Sequence, residues 1–145
     1  MKKTFKVISL IILTIGLLSS FVFANAASTR SSLYLNDYSA SISAKRNGTI
    51  SISASIFGKG YLDRIGVSSI TVYESRDGKS YTKYGTFSSD DYPSMMGSGS
   101  SYDDTVYEFT GTVGYSYKAT VYCYGESGSG SDTKPYYTTS VTARW

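Results

Sequence analysis

The chain has 145 residues, with 14 Lys+Arg, 11 Asp+Glu, one cysteine, 15 tyrosines and no histidine, a length that suits about one domain. Without histidine there is no Ser-His-Asp triad, no Cys-His dyad and no histidine-ligated zinc. A single cysteine leaves neither an internal disulfide nor a Cys₄ metal site.

Lys2, Lys3 and Lys6 precede an apolar run over 7–18, and Ala24 and Ala26 stand at the A-x-A spacing of a signal-peptidase site. Residues 1–26 are therefore expected to be a secretory signal peptide, with 27–33 a short linker and 34–145 one β-sandwich domain. The apolar stretch falls short of the roughly 20 residues of a spanning helix and is interrupted by Gly16 and Ser19-Ser20. Membrane contact is thus expected only through the uncleaved signal peptide during export, and the product is expected to be secreted and extracellular. Cleavage removes three of the 14 basic residues and no acid, leaving 11 against 11. The net charge of +3 belongs to the leader. A neutral remainder carries no basic stripe for nucleic acid and no polybasic membrane patch.

Beyond the leader, period-2 alternation predicts strands. Residues 38–44 place Tyr38, Ala40, Ile42 and Ala44 on one face. Asn47-Gly48 then signals a tight hairpin into 49–57, with Ile50, Ile52, Ala54 and Ile56 inward and Ser51, Ser53 and Ser55 outward. Leu62 and Ile65, three apart, are expected to form one helical turn. A strand over 68–74 follows, with Ile70 and Val72 inward. Asp77-Gly78 turns it back through 81–87. The polar stretch 88–104 reads as a long loop, pinned to the domain by Met95 and Met96. Three strands close the chain. Residues 105–110 offer Tyr107 and Phe109 to the core. Residues 115–124 send Tyr115, Tyr117, Ala119, Val121 and Cys123 inward. After a Ser/Gly loop over 125–132, residues 136–144 send Tyr137, Thr139, Val141 and Ala143 inward. Seven short strands at this spacing predict an all-β, immunoglobulin-like antiparallel sandwich, preceded by a signal-peptide helix.

Gly114-Tyr115-Ser116-Tyr117-Lys118-Ala119-Thr120-Val121-Tyr122, followed by a Gly/Ser loop, resembles the F strand and F–G connection of fibronectin type III-like domains. In that comparison Tyr117 takes the tyrosine-corner position, whose hydroxyl ties the preceding loop to the strand. Gly111-Thr112-Val113-Gly114 replaces the usual Leu-Pro lead-in. The chain also resembles a family of small secreted clostridial-type (Gram-positive) proteins of unknown function. The shared features are the Asn-Gly hairpin, Ile65-Gly66 before Ser69-Ile70 and the Gly-x-x-Tyr entry to the F strand. These resemblances imply a fold and a secretion route, and no activity.

Few residues carry chemistry. Gly125-Glu126-Ser127-Gly128 has the look of a serine-nucleophile loop but lacks a base. Asp90, Asp91, Asp103 and Asp104 bracket the long loop and are weak candidates for calcium, without the D-x-D-x-D-G spacing of a dedicated site. Cys123, on the inward register, is expected to be a small buried hydrophobe. No cofactor is implied. The tyrosines are the most informative group. Tyr73, Tyr122, Tyr124 and Tyr136 are expected on the outward face of neighbouring strands, with Tyr84 joining them. Rings with a polar tip suit a sugar face or a protein surface. The expected function is a non-enzymatic binding module at or near the bacterial surface, for cell-wall or host carbohydrate or a surface protein. A secreted antagonistic, toxin-like protein is the alternative, and a secreted hydrolase with an unrecognised site the second.

Overall fold

A computed structural model describes residues 32–128 and 130–145. The expected signal-peptide helix, its cleavage site and most of the linker lie outside the described residues. Seven antiparallel strands form one connected sheet: β1 Leu35–Ala44, β2 Thr49–Ser75, β3 Thr82–Ser88, β4 Met96–Thr110, β5 Ser116–Ser127, β6 Gly130–Tyr137 and β7 Val141–Thr142. A 3₁₀ turn at Pro93–Met95 precedes β4.

The sheet is organised by β2, which is 27 residues long. Its first half pairs with β1 on one edge and β4 on the other, and its second half pairs with β5 and β3. β6 and β7 are added to β5. Between its halves the strand curls, so that both halves contribute to one core of Leu35, Ile42, Ile50, Ile52, Ile56, Leu62, Ile65, Val67, Ile70, Val72, Met95, Tyr117, Val121 and Cys123. The rings of Tyr38 on β1 and Tyr136 on β6 meet edge to face at 6.5 Å although their strands are not paired. This all-β, curled antiparallel sheet is consistent with a β-sandwich.

The β1–β2 hairpin follows the alternation closely. Asn47 (φ 58°) and Gly48 (φ 75°) occupy the two left-handed positions of its turn, and Ala44 pairs with Ile50 at the head of the ladder. Ser51 keeps the outward register, between Ser43 and Glu108, yet is buried there beside the Glu108 carboxylate, which pairs with Lys45.

The expected helical turn at Leu62 and Ile65 is a strand instead. The β2–β4 register shifts between Phe57 and Leu62 and again between Leu62 and Ile65. Those irregularities turn two residues three apart to the same side, and both are buried. Gly66 ends this bend at φ 151°, and a Cβ there would collide with the carbonyl oxygen of Met95. Only glycine lets the 3₁₀ turn pass so close.

The expected loop over 88–104 also becomes regular structure. Met96, Gly97, Gly99, Ser101, Tyr102, Asp103 and Asp104 pair with β2 residues, extending β4 well upstream of residue 105. Its Gly, Ser and Asp side chains bury little, so hydrophobic periodicity cannot reveal a strand held by its backbone ladder. Met95 is fully buried and does pin the segment, while Met96 is half-buried.

The Ser/Gly loop over 125–132 is likewise short. β5 runs to Ser127, and β6 begins at Gly130 opposite it. The expected final strand over 136–144 breaks after Tyr137, where the Thr138 N–H donates to the Ala119 carbonyl at 3.0 Å and the Ala119 N–H donates to Thr138 Oγ1 at 2.9 Å. The chain rejoins β5 as β7, with Ala143 buried and Thr139 exposed rather than inward.

Tyr117 is fully buried, and its hydroxyl accepts the Thr112 N–H at 2.8 Å, tying the β4–β5 connection to β5. Gly111 passes directly over this ring: a Cβ on Gly111 would stand 2.7 Å from Tyr117 Cε2. Tyr117→Phe leaves the Thr112 N–H without its acceptor and should cost about 1–2 kcal/mol. Gly111→Ala should cost about 1–3 kcal/mol through overpacking. Urea denaturation of the full chain measures both, and an unchanged midpoint for Tyr117→Phe would show that this tether does not stabilise the fold.

Candidate functional site

Pairing places side chains on common faces, because partners in an antiparallel ladder project to the same side. On the outward side of the β3–β2–β5–β6 region, Thr71 pairs with Thr86 and Thr120, Tyr73 with Lys83 and Lys118, and Ser69 with Tyr122. Across the β5–β6 ladder on the same side, Thr120 pairs with Tyr137, Tyr122 with Pro135 and Tyr124 with Thr133.

Three of the five expected tyrosines, Tyr73, Tyr122 and Tyr124, share this face. Tyr136 does not: it pairs with Val121, turns inward and packs against the core, and Tyr137 takes the outward place at 73% exposure. Adjacent tyrosines make the two registers look alike in sequence, and a slip of one residue exchanges the faces. Tyr84 is also elsewhere. The β2–β3 register shifts between Val72 and Tyr73, and Tyr84 stacks on Phe109 at 5.0 Å and meets Tyr117 edge-on at 5.9 Å. It belongs to an aromatic cluster with Phe87, Tyr92, Tyr107 and Phe109 that spans β3 and β4. Within it, desolvation and the neighbouring Tyr92 hydroxyl push the Tyr107 phenol up to about 12.

The tyrosine face has two unlike ends. At one, the Tyr124 hydroxyl donates to Glu126 Oε2 at 2.6 Å, and Arg64 lies 5.6 Å from the ring and 3.6 Å from the same carboxylate. The hydrogen bond to Glu126 is the main reason the Tyr124 phenol is raised. This end satisfies itself. At the other, Tyr73, Tyr81, Lys118, Thr120, Tyr137 and Thr138 line an open depression of about 370 Å³. Lys118 Nζ sits 4.1 Å from the centroid of the Tyr81 ring, a cation–π contact.

Tyr81 is not among the residues that the sequence singles out for binding, although it closes the Ser75-x-Asp77-Gly78-x-x-Tyr81 turn. Asp77 Oδ1 accepts hydrogen bonds from the Ser75 hydroxyl (2.8 Å), the Lys79 N–H (2.8 Å) and the Ser80 N–H (2.9 Å). That turn delivers Tyr81 to Lys118, a contact between distant segments that no local pattern encodes.

The four loop aspartates are dispersed. Asp91 accepts from the Ser88 hydroxyl at 2.9 Å, whereas Asp103 and Asp104 lie in β4 opposite Ser55 and Ala54. Among the described residues no three His, Cys, Asp or Glu side chains are grouped to hold a metal ion. Cys123 is fully buried, and burial pushes its thiol up to about 12. No helix among the described residues is long and apolar enough to cross a membrane.

Neither a protein-family model, a curated protein nor a solved structure matches the chain.

The Ser80 and Lys79 N–H groups hold the Asp77 carboxyl at about 2, below its ordinary 3.8. A carboxyl depressed in the folded state stabilises fully above the unfolded value of about 4 and loses that contribution as pH falls through about 2. An NMR titration of the full chain should place the Asp77 midpoint near 2, and a midpoint at the ordinary value would show that the turn does not close on this carboxylate.

Proposed function

We propose that the protein is a secreted, non-enzymatic binding module that takes carbohydrate at or near the bacterial surface through the depression between Tyr73, Tyr81 and Tyr137. One observation carries this reading. The hydroxyls of these three tyrosines have no hydrogen-bond partner among the described residues, while the rings line a common hollow. Tyr137 is exposed and Tyr73 and Tyr81 are half-buried, so the three rings offer an apolar platform together with hydroxyls able to hydrogen-bond a ligand. Export is supported by the leader pattern over 1–26, and the non-enzymatic reading by the lack of histidine.

An immunoglobulin-like, fibronectin type III-like sandwich is part of the same proposal. Two observations support it: the arrangement β1–β2–β4 against β3–β2–β5–β6, and the Tyr117 hydroxyl on the Thr112 N–H five residues upstream. Kinship with small secreted clostridial-type proteins of unknown function rests on the sequence features alone.

Thermal melting of the purified protein with peptidoglycan fragments and a panel of glycans tests the binding reading. A ligand-induced rise in Tm should be lost in Tyr137→Ala and retained in Tyr124→Ala, whose site is already self-satisfied. Tyr137→Ala should itself melt within about 2 °C of the parent, since exposed sites change stability little. If no glycan raises Tm, or if the two variants behave the other way round, the site is misplaced.

A further inference from the structure

The depression has a sign. Among the described residues Lys118 is the one charged side chain that lines it, and no acidic one does. Lys83 stands next to it on the same face, since Tyr73 pairs with Lys83 on one side and Lys118 on the other. The ion pairs among the described residues are Lys45 with Glu108, Arg64 with Glu126 and Lys134 with Asp132. Neither Lys118 nor Lys83 has a carboxylate partner among them. Glu74, the nearest acid along β2, turns away and receives the Tyr117 hydroxyl at 3.4 Å. In a chain with as many acids as bases beyond residues 1–26, two ammonium groups with no carboxylate partner among the described residues, beside Tyr73, Tyr81 and Tyr137, form a local positive site.

We propose, building on the carbohydrate reading above, that this site selects a saccharide bearing a carboxylate, such as a uronic acid residue. The sugar ring would lie against Tyr73 and Tyr137, and its carboxylate would face Lys118. The cation–π contact with Tyr81 holds the Lys118 ammonium in place while leaving N–H donors free. The volume of about 370 Å³ lies at the low end of small-ligand sites and suits one or two pyranose rings rather than a protein segment. An acidic peptide would satisfy the lysines but would not present the rings with the C–H face of a pyranose.

The test compares three probes by NMR titration of the full chain: trigalacturonate, its fully methyl-esterified form, and a triglutamate peptide. Trigalacturonate should shift Tyr73, Tyr81 and Tyr137 and bind about three- to tenfold more tightly than the ester at low salt. The preference should shrink as salt rises and disappear in Lys118→Gln, while Lys118→Arg retains it. Equal binding of acid and ester overturns the charge selection but leaves the carbohydrate reading standing. So does failure of both where a neutral glycan still raises Tm. Triglutamate binding as tightly as trigalacturonate overturns the saccharide class. If no glycan of any charge binds, both readings fall together. Lys118→Gln is scored only with a Tm near that of the parent, and Lys83→Gln supplies an independent variant on the same face.

Discussion

The backbone of β2 is the constraint on which the remaining structure depends. Four strands hydrogen-bond to it, and β6 and β7 reach it only through β5. A strand that serves both parts of a curled sheet must bend, and it does so where its β4 register slips and where Gly66 runs under Met95. Had that bend been replaced by the helical turn that Leu62 and Ile65 imitate, the ladders to β4 and β5 would be separated. The bend is therefore what brings Leu35, Leu62, Val67 and Cys123 into one core.

The same geometry sorts the aromatic residues. Those turned toward the core or across β3 and β4, such as Tyr38, Tyr117 and the Tyr84–Phe109 stack, find ring partners. Those on the outward face differ by their charged neighbours. Tyr124 sits beside a complete Arg64–Glu126 pair, whereas Tyr73, Tyr81 and Tyr137 sit beside a lysine without a counter-ion among the described residues. One sheet face thus presents a closed polar network at one end and an open aromatic hollow lined by Lys118 at the other.

Much of this is legible in the sequence where a strand is half-buried. Ile50, Ile52, Ala54 and Ile56 alternate because one face of β2 meets the core, and so do Tyr117, Ala119, Val121 and Cys123 of β5. The Asn47-Gly48 turn is legible because few residues tolerate two successive left-handed positions. The upstream part of β4 and the start of β6 are not, because strands of Gly, Ser, Asp and Thr are held by backbone pairing and bury too little to mark a period.

The sequence by itself determined an all-β chain, its principal inward residues, its hairpin turns and a leader-like N-terminal pattern, since these follow from local conformational preference and from burial of alternate side chains. Tertiary structure decided which tyrosines share a surface. Tyr137 replaced Tyr136 through a one-residue difference in register, Tyr84 left the face at a bulge, and Tyr81 joined it through the Asp77 turn. Which of these residues end up together depends on β5, since Tyr73 and Tyr81 meet Lys118, and Tyr137 meets Thr120, only when β2 and β6 pair with it. Alternation within a single strand does not contain that information.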